Sequence, residues 1–242
     1  MVQPPAFVGK ERPHFICKLR KAIYGLKQTP RAWYHELRSF LIDNGFTDLV
    51  NDMSLFILKH HGHLLYLLVY VDDIIIIGDD EHAVDLLVQN LAKRFSLKDL
   101  GSLTYFLGVE IQSHLHGLVL SQHRYIQDLL HRTNMSNSRP VATPLPSGPP
   151  PTLAMGELLL DPSAYHATVG SLQYMSLTQP DLSFAVIKLS QFMHKLTEEH
   201  WKLVKRLLRY LSGTSNVGLF LYHQSPAHLY AFSDADWGGK QG

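Results

Sequence analysis

The stretch that most limits how this chain can fold is Leu64–Ile77, fourteen residues in which twelve apolar side chains flank two adjacent acids, Asp72 and Asp73. A membrane-spanning helix needs about 20 consecutive apolar residues, and an aspartate at the bilayer centre costs about 2.5–3.5 kcal/mol on insertion scales. The stretch is too short, and too charged at its middle, to span a membrane. Its Val, Ile and Leu content reads instead as two buried strands, Leu64–Val71 and Ile74–Gly78, joined at the acids. Aspartate is depleted in strands, and a carboxylate among apolar neighbours needs a partner. Two readings are open. Either the acids face water at a hairpin turn, or they hold one or two divalent cations such as Mg²⁺, hard ions that take oxygen ligands and bridge phosphates. The turn lacks the Gly or Asn that tight hairpins prefer, and Tyr70 precedes it, which favours the second reading.

The flanking signals describe a mixed α+β unit over residues 1–136. Thr29 reads as an N-cap with Pro30 at the first helical position; Trp33, Leu37, Phe40 and Leu41 follow at helical spacing, and Asn44-Gly45 stops the helix. A hairpin joins Ser54–Lys59 to Leu64 through His60, His61, Gly62 and His63. Asp80 or Glu81 opens a second helix with Val84, Leu87, Val88, Leu91 and Phe95 on one face. Lys98–Gly101 is a turn, Thr104–Ile111 a strand, His116-Gly117 a turn, Leu118–Leu120 a strand, and Ser121 to about Asn134 a helix. Three histidines at the hairpin tip, with no downstream ligand set, read as exposed rather than as a metal cluster.

Between Asn137 and Pro162 lie seven of the 13 prolines, three of them consecutive, so residues 137–162 read as a semi-rigid linker or a peptide draped over a surface. Helices are expected over about 163–177, 181–195 and 198–211. The last is capped by Thr197 and stopped by Gly213, with Trp201, Val204, Leu208 and Leu211 on one face. Strands Val217–Tyr222 and His228–Ser233 follow.

Net charge is only +1, but it is unevenly spread. Residues 1–40 carry eight basic groups (Lys10, Arg12, Lys18, Arg20, Lys21, Lys27, Arg31, Arg38) against Glu11 and Glu36, a cluster suited to a nucleic-acid backbone or simply to a solvated face. Lys202, Lys205, Arg206 and Arg209 form a weaker second patch. The single cysteine, Cys17, allows no internal disulfide, implies a reducing compartment, and reads as a small buried hydrophobe in a strand. The polar, proline-bearing start shows no secretion signal.

Tyr70-Val71-Asp72-Asp73 in its apolar hairpin resembles the palm signature of reverse transcriptases. Tyr24-Gly25-Leu26-Lys27-Gln28-Thr29-Pro30-Arg31-Ala32-Trp33-Tyr34 resembles the block that precedes it in copia-type retrotransposon pol polyproteins. Lys98-Asp99-Leu100-Gly101, then Tyr105-Phe106-Leu107-Gly108-Val109-Glu110-Ile111, is similar to the two motifs that follow, and the likeness continues through Leu120-Ser121-Gln122 and the proline-rich segment. Tyr230–Trp237 resembles the first strand of the RNase H domain of these polyproteins.

The resemblance implies a right-hand polymerase palm and thumb over 1–136, lacking its fingers and first palm strand. A linker (137–162), a helical connection region (163–226) and the start of an RNase H-like domain (227–242) would follow. Asp72 and Asp73 would be catalytic and would bind the two Mg²⁺ (or Mn²⁺) ions of nucleotidyl transfer. Tyr24, Gly25, Lys27, Gln28, Tyr70 and Lys98 would contact nucleotide or template, Tyr105–Ile111 would be the primer-grip strand, and Ser121–Asn134 would begin the thumb. Asp234 would be one metal carboxylate of an incomplete RNase H-like site. The implied partners are an RNA or DNA template-primer and deoxynucleoside triphosphates, with no membrane, in a cytoplasmic particle or the nucleus. A further catalytic aspartate of the family's palm lies on an earlier strand, upstream of the sequence resembling Met1–Phe7. The chain therefore reads as a polymerase fragment inactive by itself; the alternative is a non-catalytic retroelement remnant that at most binds nucleic acid or a partner.

Overall fold

The computed structural model describes residues 2, 5–18, 23, 25–60, 62–149, 151–152, 155–224, 228 and 231–232. The chain divides into two units, Met1–Gly101 and Ser102–Gly242. Each carries one four-stranded antiparallel sheet, and six α-helices are formed among the described residues.

In the first unit, β1 (Thr47–Asp48), β2 (Leu55–His60), β3 (His63–Tyr70) and β4 (Asp73–Gly78) form a meander in sequence order. Helices α1 (Thr29–Asp43) and α2 (Glu81–Phe95) bring Leu37, Leu41, Leu87 and Leu91 into one buried cluster with Phe56, Leu65, Leu67 and Val69. Strand periodicity explains which residues take part: Leu65, Leu67 and Val69 alternate with Leu64, Tyr66, Leu68 and Tyr70, which point to the opposite face. The expectation of two buried strands is thus corrected. Among the described residues of this unit only one face is packed, β4 has no buried residue, and Ile77 is 60% exposed.

Local chemistry sets the ends of these elements. Asp80 caps α2, accepting the His82 amide at 3.1 Å, and Ser96 closes it in a left-handed conformation. The cap expected at Thr29 differs. Gln28 takes that position without a side-chain bond, while the Thr29 hydroxyl donates to the Ile23 carbonyl at 2.6 Å and ties the helix to the preceding turn. Gly45, at φ +88°, ends α1 as expected. Cys17 is exposed and lies outside any strand, in a stretch where Phe15 and Ile16 are exposed as well, so it is not the small buried hydrophobe expected.

In the second unit, β5 (Tyr105–Phe106), β6 (Val109–His114), β7 (Gly117–Ser121) and β8 (Leu219–Tyr222) pair in that order. The single strand expected over Thr104–Ile111 is a hairpin. Leu107 (φ +48°) and Gly108 (φ +81°) occupy its two central positions, the positive pair that a tight type I′ turn requires. Helix α3 (His123–Arg132) starts after Ser121, which β7 retains, and Ile126, Leu129 and Leu130 enter a core shared with α4 (Ser163–Met175), α5 (Ser183–Ser190) and α6 (Glu198–Thr214). This packing explains why the chain divides at residue 101 and not at the linker expected to begin at residue 137.

The proline-rich segment is the draped peptide of the two forms expected for it. Arg209 donates its Nε to the Arg139 carbonyl at 2.7 Å and Arg206 donates to the Thr143 hydroxyl at 2.8 Å. Farther along, the Leu159 amide donates to the Leu196 carbonyl and the Glu198 amide to that of Glu157. Thr197 caps α6 as expected, but Gly213 does not stop it, since the helix continues to Thr214. Tyr230 and Ser233–Gly242 lie outside the described residues, as does half of the strand expected over His228–Ser233.

Candidate active site

Tyr70 and Asp73 face each other across the β3–β4 ladder, leaving Val71 and Asp72 as the two central residues of the turn. Asn-Gly or Gly normally fills such a turn, yet here Val71 sits at φ +54°. Asp72 has no positive φ, so the pair carries the φ signature of a II′ turn. A left-handed L-residue costs about 1–2 kcal/mol, and a β-branched one is an outlier even among these. The flanking ladder holds this conformation over six residue pairs, from Leu65 opposite Gly78 to Tyr70 opposite Asp73. The acids therefore project from a two-strand edge whose backbone is fixed from both sides.

Asp72 and Asp73 are both exposed, and neither carboxylate has a hydrogen-bond or ion-pair partner among the described residues. The burial inferred from their apolar neighbours does not reach them, because those side chains lie farther back along the strands. What remains are two adjacent hard-oxygen donors facing outward, a donor set that suits Mg²⁺ or Mn²⁺ and leaves room for further ligands. Among the described residues, no group of three or more His, Cys, Asp or Glu is arranged to hold a metal ion.

The opposite end of the hairpin has a different role. Asp79 accepts the Leu64 amide at 3.1 Å and lies 3.3 Å from the His63 imidazole. Its carboxyl is held below the usual carboxylate range by the Leu64 amide first, with His63 adding to it. That histidine is thus paired across the hairpin base, while His61 lies outside the described residues.

Of the other residues singled out from sequence, Gly25 occupies a turn at φ +88°, Lys27 and Gln28 are exposed beside it, and Lys98 is exposed after α2. None of them is hydrogen-bonded or ion-paired to Asp72 or Asp73. The turn after Lys98 is closed by Asp99, which accepts the Gly101 amide at 2.8 Å. Tyr24 and Asp234 lie outside the described residues. In the basic N-terminal segment Arg38 is paired with Asp48 at 2.8 Å, whereas Lys10, Lys18 and Arg31 are exposed. One feature of the site escapes sequence reasoning, the backbone of Val71, whose residue type argues against its conformation. In the second unit, His200 is buried at the start of α6, and its position three residues after the Thr197 cap is the only signal for it.

Residues 1–147 match the family described as reverse transcriptase (RNA-dependent DNA polymerase). The chain belongs to the reverse transcriptase family. Within it, this reverse transcriptase segment is similar to copia-type Pol polyproteins. It is 54% identical over its whole length to the retrovirus-related Pol polyprotein from transposon RE1 of Arabidopsis thaliana, and 52% identical over 99% of its length to that from transposon RE2 of the same plant. The Pol polyprotein from transposon TNT 1-94 of Nicotiana tabacum is 37% identical over 99% of the chain. The chain spans 16% of the length of each Arabidopsis relative and 19% of the tobacco one. No solved structure matches it. Among the described residues, no helix is long and apolar enough to cross a membrane.

Proposed function

We propose that this chain is the part of an RNA-directed DNA polymerase that carries Asp72 and Asp73, two of the carboxylates that bind the catalytic divalent ions. The observation that carries this reading is the hairpin itself: two adjacent, exposed carboxylates without partners among the described residues, held on a strained turn between fixed strands. Bound there, Mg²⁺ or Mn²⁺ would supply Lewis-acid stabilisation of charge on the reacting oxygens.

The chain's own residues bind and orient. Asp72 and Asp73 provide negative charge at a fixed point, so ordering them costs little when a cation arrives. Tyr70, opposite Asp73, supplies a flat side chain beside the acids. Gly25, Lys27 and Gln28, with Tyr24, form the block assigned to nucleotide and template, with Lys27 free to reach a phosphate; Lys98 takes a similar, weaker role. The basic N-terminal segment follows the template backbone. In this reading residues 1–136 are palm and thumb, 163–226 connection, and Asp234 part of a separate RNase H-like site. The substrates are a template-primer and deoxynucleoside triphosphates, and the setting is a cytoplasmic particle or the nucleus.

Two carboxylates are too few to hold two divalent ions in reacting geometry, so the chain alone should extend no primer. Joining it to the family's upstream palm segment, with its further aspartate, should restore Mg²⁺-dependent incorporation on a primed homopolymer. In that fusion Asp72→Asn should lower the rate by roughly 10³-fold or more, since coupled catalytic groups act as a unit. Asp73→Asn should lower it sharply, Lys27→Ala should act mainly on nucleotide affinity, and Asp234→Asn should leave polymerisation unchanged. A folded but inactive fusion would favour the non-catalytic remnant. Activity indifferent to Asp72→Asn would overturn the metal-site assignment.

A further inference from the structure

A cavity of about 720 Å³ lies between the proline-rich strap and helices α5 and α6 of the second unit. Leu145, Pro149 and Pro151 of the strap and Leu203 of α6 give it apolar walls. Phe184 of α5 also lines it and is 67% exposed. Five cations line it too, Lys188 on α5 and Lys202, Lys205, Arg206 and Arg209 on α6, against one acid, Glu199.

The charge is poorly compensated. Only Lys202 is ion-paired, to Glu199 at 2.7 Å, among the described residues. Arg209 and Arg206 are fixed by neutral acceptors, the Arg139 carbonyl and the Thr143 hydroxyl, and the buried Nε of Arg206 has no hydrogen-bond partner among the described residues. Lys205 sits 5.6 Å over the Trp201 ring. Phe184 and Lys188 are four residues apart on α5 and so share one face of it.

We propose that this cavity binds single-stranded nucleic acid, with the cations along the phosphates and Phe184 stacking on an unpaired base. Uncompensated cations held in place favour a polyanion, and an exposed aromatic beside them favours one that has flat faces to stack. An acidic peptide would use the cations and leave the phenyl ring idle. A duplex would offer phosphates but no free base face. The proposal rests on the polymerase reading only in that the chain handles nucleic acid; it does not involve Asp72 or Asp73.

The test is fluorescence anisotropy of the full chain, in EDTA, with a labelled twelve-nucleotide oligothymidylate and an abasic strand of the same length. The two probes share phosphates and differ in bases. Oligothymidylate should bind roughly 5- to 150-fold more tightly, the span expected for one stacked base. Phe184→Ala should remove that gap while leaving abasic-strand affinity and salt dependence unchanged. Lys188→Ala with Lys205→Ala should weaken both probes and flatten the log–log salt slope by about 1.4, or about 0.7 per lost phosphate contact. All three changes are at the surface, and matching circular dichroism and melting confirm that the variants fold. Equal binding of the two probes, or a gap that survives Phe184→Ala, overturns the proposal, as does competition by a polyglutamate peptide as effective as oligothymidylate. Failure of the metal-site reading would appear in primer extension and failure of this one in anisotropy.

Discussion

Replacing His200 with glutamine tests whether one neutral imidazole holds both the start of α6 and the strap that lies over it. His200 is fully buried. Its Nδ1 accepts the Thr197 amide at 3.2 Å, and its Nε2 lies 3.1 Å from the Thr152 carbonyl. A backbone amide only donates and a carbonyl only accepts, so this geometry requires a bare Nδ1 and a hydrogen on Nε2. Protonation would place a second hydrogen on Nδ1, pointing at another donor. Burial, opposed in part by the Thr152 carbonyl and the Glu199 charge, holds the pKa below the usual histidine range. The folded state therefore binds fewer protons than the unfolded chain as the pH falls. The contribution of His200 is complete above pH of about 6.5 and is lost as pH drops through the folded pKa, with a slope of at most about 1.4 kcal/mol per pH unit.

Glutamine neither titrates nor stacks. It forfeits the ring's parallel contact with Phe192, at 4.1 Å between centroids, which contributes about 0.5–1.5 kcal/mol. The Thr197 cap contact is kept, because glutamine at this position can accept the Thr197 amide through its Oε1. His200→Gln should thus lower stability by about 0.5–1.5 kcal/mol at pH 7.5, and the gap should narrow towards pH 5. Urea denaturation across that range measures it, with hydrogen exchange at the Leu159 and Glu198 amides as a local probe of the strap. A wild-type-minus-variant difference that stays flat, or widens in acid, refutes the neutral imidazole.

Other substitutions probe the two units separately. At Gly117 a Cβ would overlap the Leu221 carbonyl oxygen, so Gly117→Ala should force β7 and β8 apart, cost about 1–3 kcal/mol and raise amide exchange in β8. Leu211→Ala should cost about 2–5 kcal/mol in urea denaturation, since Leu211 is fully buried among the helices of the second unit. Val71→Gly should release about 1–2 kcal/mol of turn strain against about 0.5–1 kcal/mol for glycine's added freedom, leaving stability level or slightly higher. In the polymerase fusion the same change should slow extension by loosening the acids, and a large loss of stability would show that Val71 is not strained.

Local signals were legible where they sit within one turn of the element they define. Asp80 at the start of α2, Thr197 at the start of α6 and Asn44-Gly45 at the end of α1 were all readable from residue type, and the β3–β4 hairpin was readable from its run of branched residues. Reading failed where a residue does what its type disfavours, as at Leu107, whose positive φ hides a turn inside an apolar run. It also failed for non-local partners: nothing near Leu219–Tyr222 says that it pairs with Gly117–Ser121, so the division at residue 101 could not be seen. The acids of the hairpin were found, but their exposure was not, because apolar neighbours in sequence need not be neighbours in space.

The pairing of β7 with β8 has a bearing on synthesis. Leu120 meets Leu219, and α3 shares its core with α6, so the second unit has no complete sheet or core until nearly all of it has left the ribosome. The first unit is built from hairpins and helices adjacent in sequence and can form as it emerges. At 5–20 residues per second, the hundred or so residues after β7 represent roughly 5–20 s during which that strand's edge waits unpaired. Non-local closure also slows folding once the chain is complete. During that interval a neighbouring nascent copy offers the same β8 sequence as the chain's own, and exchange of this one strand between copies is the misfolding route to which this topology is most open.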